Sequence, residues 1–419
     1  MTDAASSTAI IIGAGHAGGE LAIALRNEGW EGRILLLGEE AHLPYHRPPL
    51  SKAYLAGSVE KTSLSIRPQL AYDKANVEFF GNVRVVRIDR ANKRLELADG
   101  KQLTYDKLAI ATGGRPRPLA VPNAAAAERC ANFHYLRTLD DVELIRAQMA
   151  PGKRLTIVGG GYIGLEVAAA AVAQGLQVTV LEALPRVLQR VTAAELSAYY
   201  ERKHREAGVD IRTGVLVADL ELTDGAVIAV LCADGSRLEA DLVVVGIGLI
   251  ANTELAAEAG LAVDNGILVD EYARTDDPDI HAAGDCTNHP NPVLGRRLRL
   301  ESVPNALEQS RVAAAAMAGK LHKTYASVPW FWSDQYELKL KMVGLSEGFE
   351  RLVLRGDPLS DSFSAFYLKD GKVLAADTVN RPQDFIAAKR LVAEGIPVTA
   401  EQLADDSRPL KELLPVPAA

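Results

Sequence analysis

Two clusters of glycine in this 419-residue chain have the spacing that cradles a pyrophosphate. The first reads Gly13-Ala14-Gly15-His16-Ala17-Gly18 and the second Gly159-Gly160-Gly161-Tyr162-Ile163-Gly164. Each follows a β-branched run, residues 9–12 and 155–158, and opens a small-residue helix. In such a turn the first glycine permits the reversal, the second lets phosphate approach the main chain, and the third lets helix and strand pack closely. The phosphate then rests on free N–H groups at the positive end of the helix. An acid after the next strand accepts the ribose hydroxyls: Glu39 beyond 34–37 in the first copy, Glu182 after 178–181 in the second. A lone cluster is a weak signal, because glycine turns join many strands to helices. Two, each in strand–turn–helix context and each with its acid, imply two dinucleotide sites. Glu182 would repel a 2′-phosphate, which points to NADH at the second site. Arg186, close behind it, is the residue type an NADPH site would use, so that alternative stays open.

Around these turns the chain reads as two βαβ units with further elements between and after them. Pro44-Tyr45-His46-Arg47-Pro48-Pro49-Leu50-Ser51-Lys52 is a stiff loop entering a short helix, with Lys52 at the helix start. Residues 83–88 and 94–97 alternate as a hairpin would. Buried strands are predicted at 106–111, ending in Thr112-Gly113-Gly114, and at 241–245, ending in Gly246-Ile247-Gly248. Glu166 falls in the first turn of the second nucleotide helix, where the helix dipole favours an acid. After about residue 328 aromatic residues and alternating runs such as 363–368 announce a third domain with an antiparallel sheet. The expected boundaries are 1–114 with 248–327 for the first domain, 115–247 for the second and 328–419 for the third. The fold class is α/β, with two Rossmann-like domains and a C-terminal α+β domain.

Composition narrows the function. Hydrophobic residues are 48% and charged residues 24%, enough for several packed cores. Lys and Arg number 46 against 54 Asp and Glu, a net charge of −8, which argues against nucleic acid as the main partner. Residues 1–8 carry no Lys or Arg ahead of a short apolar run, so neither a secretory leader nor a membrane span is expected, and the protein reads as soluble and cytoplasmic. Cys130, Cys232 and Cys286 lie far apart, with no CxxC pair and no metal-ligand spacing; no metal is expected. Cys286 reads as a buried thiol, and His16 as a helix-face residue near the first nucleotide.

The two glycine turns, Arg47-Pro48-Pro49-Leu50-Ser51-Lys52, Ala111-Thr112-Gly113-Gly114 and Ala282-Ala283-Gly284-Asp285 together resemble the two-dinucleotide flavoprotein reductases. Two longer segments, Glu301-Ser302-Val303-Pro304-Asn305-Ala306 and Pro329-Trp330-Phe331-Trp332-Ser333-Asp334-Gln335-Tyr336, narrow the likeness to the ferredoxin reductases of oxygenase systems. The resemblance implies non-covalent FAD in the split first domain, NADH in the second, and an interface domain third. It places Gly13, Ala14, Gly15, Gly18, Glu39, Arg47, Lys52, Val85, Ala111, Arg137, Asp285 and Val303 around FAD. Gly159, Gly161, Ile163, Gly164, Glu166, Glu182 and Gly248 would line the NADH side. Lys52 and Glu166 would pair beside the flavin N5, Lys52 opposing negative charge there and Glu166 orienting both Lys52 and the nicotinamide amide. His281 stands where the family has an aromatic or apolar residue.

Disulfide reductases of this superfamily pass electrons through a cysteine pair, and NADH peroxidases through one cysteine after the first βαβ unit; the 44–52 loop has neither. Electrons are therefore expected to leave the flavin directly for an external carrier. The likeness implies a [2Fe–2S] ferredoxin serving a cytochrome P450 or, second, a Rieske dioxygenase. Arg296, Arg297, Arg299, Arg311, Lys339 and Lys341, with Trp332, would form a basic face for an acidic ferredoxin. A rubredoxin reductase and an NADH-sensing protein akin to apoptosis-inducing factor are the alternatives.

Overall fold

The structure, a computed structural model, describes residues 7–415. Residues 1–6, on which the expectation of no secretory leader partly rests, and 416–419, the end of the expected third domain, lie outside the described residues. The chain forms two compact units: 7–46, 61–115 and 250–329 in one, and 47–60, 116–249 and 330–415 in the other.

In the first unit, Thr8–Ile12 is the centre of a five-stranded parallel sheet. It pairs with Arg33–Leu37 on one side and Lys107–Ile110 on the other, with Val77–Phe80 and Ile280–Ala282 at the edges. A parallel strand covered on both faces needs an unbroken apolar run, and Ala9 to Ile12 are all buried. Helices His16–Asn27 and Val303–Met317 pack together on one face, around Ile11, Leu21, Leu36 and Met317. The antiparallel strands Val85–Asp89, Arg94–Leu97 and Gln102–Thr104 cover the other, joining Ile10, Leu35 and Leu108.

The second unit repeats the arrangement. Arg154–Val158 is central, flanked by Gln177–Glu182 and Leu242–Val245, with Asp210–Thr213 and Phe133–Tyr135 outermost, all parallel. A separate five-stranded antiparallel sheet follows, ordered Trp330–Gln335, Leu338–Gly344, Lys372–Val379, Ser362–Lys369, Arg351–Asp357, with helix Pro382–Glu394 packed on it. The helix Tyr162–Val172 touches both strand Trp330–Gln335 and the short 3-10 turn Pro48–Ser51. That convergence positions the site below.

Two local expectations need correction. Lys52 lies at the C-terminal end of the Pro48–Ser51 turn, not at a helix start. The prolines favour a tight turn, but Lys52 leaves helical geometry with φ −126° and ψ −114°, and the turn closes there. Glu166 is the fifth residue of Tyr162–Val172 and so lies beyond the first turn, where the helix dipole gives an acid little support. Among the described residues no helix is long and apolar enough to cross a membrane.

A buried carboxylate ties the C-terminal sheet to the rest of the second unit. Asp377 accepts hydrogen bonds from Tyr367 Oη at 2.5 Å and Thr192 Oγ1 at 2.7 Å. Burial pushes its pKa up from 3.8 to about 6, against the pull of those hydroxyls. The folded form therefore holds this proton more tightly than the unfolded chain. Its stabilising contribution is full below about pH 4 and drains away as pH rises to about 6. Asp377→Asn should flatten the stability profile over that interval, as measured by denaturant unfolding from pH 4 to pH 7. Parallel profiles for variant and parent would contradict this.

Candidate functional site

Both glycine turns are built by close approach. A Cβ on Gly18 would stand 1.8 Å from the Gly13 carbonyl oxygen, and one on Gly164 2.0 Å from that of Gly159, so only glycine lets each helix lie against its strand. Gly15 and Gly161, by contrast, have open space where a Cβ would be. Neither helix beginning there has a side-chain cap, so its first N–H groups point at that space without a side-chain acceptor. An anionic phosphate fits both places on geometry and charge. Ala14 packs near Gly38, and the Ala111 carbonyl runs past Gly13, where there is no side chain to block it.

The two acids differ. Glu39 is exposed and lies 3.6 Å from Arg84. Glu182 is held toward its own turn: Oε2 accepts from the Gly160 N–H at 2.7 Å and Oε1 from that of Leu184 at 2.8 Å. Arg186 is occupied elsewhere, donating to the Thr192 and Gln189 carbonyls and to Ser197 Oγ. It braces the 187–197 loop.

In the first unit, Val85 is buried in the core beside the hairpin strand Arg94–Leu97. Asp285 is half-buried just after Ile280–Ala282, and Val303 opens its helix behind a Ser302 cap. Cys286 is fully buried, and burial pushes its thiol up, as befits an inert packing residue. His16 is the first helical residue, buried, with its ring 5.5 Å from that of His46. His281 is buried within a strand and pushed down to about 3 by burial, so it is a neutral packing residue. In the second unit, Arg47 donates to the Arg137 carbonyl at 2.8 Å, which brings those two together. The Gly248 carbonyl accepts from the Arg117 N–H, and Ile163 stands exposed at the start of its helix.

The strongest electrostatic feature is the Lys52–Glu166 pair. Lys52 Nζ lies 2.7 Å from Glu166 Oε2, with the carboxylate side chain 2% exposed and the lysine 14%. Ser51 Oγ donates to the same oxygen at 2.5 Å, and Ser333 Oγ to Oε1 at 2.5 Å. Two hydroxyl donors and one ammonium thus give the buried carboxylate the partners that its removal from water demands. Sequence reasoning found Lys52 and Glu166 but missed Ser51, Ser333 and Gln335. A signal was there: Ser333 and Gln335 are two apart on one strand, so both share a face of the sheet and both are buried.

The basic residues expected at a docking face have varied surroundings. In the first unit Arg296 and Arg297 are exposed, Arg297 donating to the Val269 and Asn288 carbonyls. Arg299 pairs with Glu301 at 2.5 Å. Arg311 pairs with buried Glu20 at 2.7 Å. In the second, Lys339 lies 3.5 Å from Asp334, and Lys341 sits over the Phe385 ring at 5.4 Å. Trp332 is half-buried, 5.8 Å from Trp330 and 6.1 Å from Phe331, ring to ring. Among the described residues no group of His, Cys, Asp and Glu could hold a metal ion.

Residues 7–310 match the family model described as pyridine nucleotide-disulphide oxidoreductase, and 330–414 match the reductase C-terminal model. Putidaredoxin reductase CamA of Pseudomonas putida is 52% identical over 412 residues, covering 98% of this chain and 97% of that protein. The covalent putidaredoxin reductase–putidaredoxin complex superposes with a TM-score of 0.95 at 51% identity, covering 98% of each chain. The ferredoxin reductase for the CYP199A2 system from Rhodopseudomonas palustris gives 0.92 at 43% identity, covering 97% of this chain and 99% of that one.

Removing one partner of a buried pair should cost more than removing both. Lys52→Met leaves the Glu166 carboxylate facing only hydroxyls and should destabilise the protein by about 3 kcal/mol. Lys52→Met with Glu166→Gln should recover most of that loss. Denaturant unfolding of the three forms measures it, and additive losses would refute the pairing.

Proposed function

Because the chain belongs to the pyridine nucleotide-disulphide oxidoreductases, and within them to the ferredoxin reductases, we propose that it takes a hydride from NADH onto FAD and passes single electrons to a [2Fe–2S] ferredoxin. The ferredoxin in turn serves a cytochrome P450, with a Rieske dioxygenase the second possibility. The observation that carries this reading is the buried Lys52–Glu166 ion pair beside the second nucleotide helix, in a protein whose three cysteines are all free and buried. No dithiol stands ready to take electrons, so an external carrier must. When bound, FAD converts two-electron hydride chemistry into one-electron transfers.

The protein's own residues bind, orient and balance charge. The helix starting at His16 receives the FAD pyrophosphate through Gly15, and Glu39 the adenosine ribose. As the family resemblance implies, Arg47 would lie along the pyrophosphate and Asp285 would bind the ribityl chain. On this reading 1–114 with 248–327 would form the FAD domain, and 115–247 the NADH domain. There Gly161 and its helix receive the NADH pyrophosphate. Glu182, aimed at its turn by two N–H groups, takes the ribose hydroxyls and rejects a 2′-phosphate. Lys52 would supply an ammonium to balance negative charge on the flavin, and Glu166 would hold that ammonium and the nicotinamide amide. Domain 328–419, with Trp332, Lys339 and Lys341, meets the ferredoxin, assisted by Arg296, Arg297 and Arg311, whose charge steers an acidic partner. A reducing cytoplasm suits three free thiols.

The purified FAD-loaded protein should reduce cytochrome c with NADH only when a [2Fe–2S] ferredoxin is added. Equal rates with and without ferredoxin would remove the carrier from the scheme. Glu182→Ala should lower kcat/KM for NADH roughly 10- to 100-fold and narrow the gap to NADPH, since one bidentate charged contact is lost. An unchanged NADH-to-NADPH ratio would show that Glu182 does not read the ribose.

A further inference from the structure

The Glu166 carboxylate is the inner end of a longer row of hydrogen bonds in the second unit. Ser333 Oγ lies 2.5 Å from Glu166 Oε1, and Gln335 Nε2 lies 3.1 Å from Ser333 Oγ. Gln335 Oε1 lies 2.8 Å from His204 Nε2, and Tyr336 Oη 2.9 Å from His204 Nδ1. Ser333 and His204 are fully buried, Gln335 is 1% exposed, and Tyr336 is half-buried at the hairpin turn after Trp330–Gln335.

The direction of every bond follows from the inner end. Paired with the Lys52 ammonium, the carboxylate only accepts, so Ser333 must donate to it. The serine oxygen then accepts from the Gln335 amide N–H, which turns the amide oxygen toward His204. His204 must therefore carry its proton on Nε2, leaving Nδ1 to accept from the Tyr336 hydroxyl. Burial pushes His204 down to about 4, so the ring is neutral near pH 7 and has one N–H to place. Reversing any link turns the Gln335 amide and takes the serine proton off Glu166.

We propose that Tyr336, His204, Gln335 and Ser333 form a one-way hydrogen-bond chain that positions Glu166, with the His204 tautomer as its controlling link. The chain reaches from a helix that carries no nucleotide motif, Ala194–Glu206, through the C-terminal sheet to the nucleotide helix. Ser333, Gln335 and His204 are too buried for water to replace a lost partner, so their links act together. His204 is thus a positioning residue that acts on Glu166 through Gln335 and Ser333. The inference rests on the reading above that Glu166 serves hydride transfer.

Two measurements test it. In 15N-histidine-labelled protein, the His204 ring, assigned by its absence in His204→Gln, should be the Nε2–H tautomer, and Tyr336→Phe should admit the Nδ1–H form. An Nδ1–H ring in the parent overturns the chain. In anaerobic stopped-flow with FAD-loaded protein and NADH, Glu166→Gln and His204→Phe should each slow flavin bleaching about 10-fold at saturating NADH, the scale of one charge-assisted hydrogen bond, with little change in KM. His204→Gln, which restores an N–H donor and an acceptor, should recover most of the rate. Equal losses in His204→Phe and His204→Gln would indicate packing alone and overturn the proposal. Normal bleaching in Glu166→Gln would instead refute the role of Glu166 itself. Slow bleaching in Glu166→Gln with parental bleaching in His204→Phe would leave that role standing and remove the chain.

Discussion

A carboxylate buried away from water against a lysine dictates much of the second unit. Moving Glu166 out of solvent costs several kcal/mol unless a cation and enough donors surround it. The lysine comes from the segment Arg47–Glu60, the helix from the nucleotide-binding region and one serine from the C-terminal sheet. These three stretches are far apart in sequence, yet the carboxylate requires all of them at one point. The C-terminal sheet is therefore part of the site as well as a neighbour to it. The stiffness of the Pro48-Pro49 turn has a role here, since it presents Ser51 and Lys52 to one oxygen of the same group.

The fold uses one device twice, once in each unit. Both parallel sheets put the strand before the glycine turn at the centre, and both close helix against strand through a glycine that admits no Cβ. The copies diverge at the acid that follows each turn. Glu39 stands in solvent, whereas Glu182 is fixed by two main-chain N–H groups before any ligand arrives. On the proposed reading, a fixed acid discriminates at the ribose because its negative charge cannot swing away from a phosphate. With Arg186 braced against its own loop, no nearby guanidinium from that residue offsets this charge.

The βαβ units were legible because glycine spacing and buried β-branched runs are local signals. The hairpin at 85–97 and the antiparallel character of the last domain were legible through alternation. Charge placement was harder to read. Glu166 was expected in the first helical turn and, by family resemblance, beside Lys52; it lies just beyond that turn, and the two serines that also hold it come from distant segments. Ser333 and Gln335 look like ordinary polar positions of a strand until the opposing helix is known to bury them. His204 carries no motif, and its role depends on a contact 131 residues away in sequence. Arg311 adds a contact that no local pattern announces: its half-exposed guanidinium pairs with buried Glu20.

The central claim is that two electrons arriving as hydride leave one at a time through a ferredoxin, with no protein thiol between. Its most direct test is a single turnover. The FAD-loaded protein is bleached with one equivalent of NADH without oxygen and then mixed with excess oxidised [2Fe–2S] ferredoxin. The account predicts full return of flavin colour with two ferredoxins reduced per flavin, unchanged after the three cysteines are replaced by serine or alanine. Flavin that stays bleached, or a transfer abolished by loss of a cysteine, would contradict it.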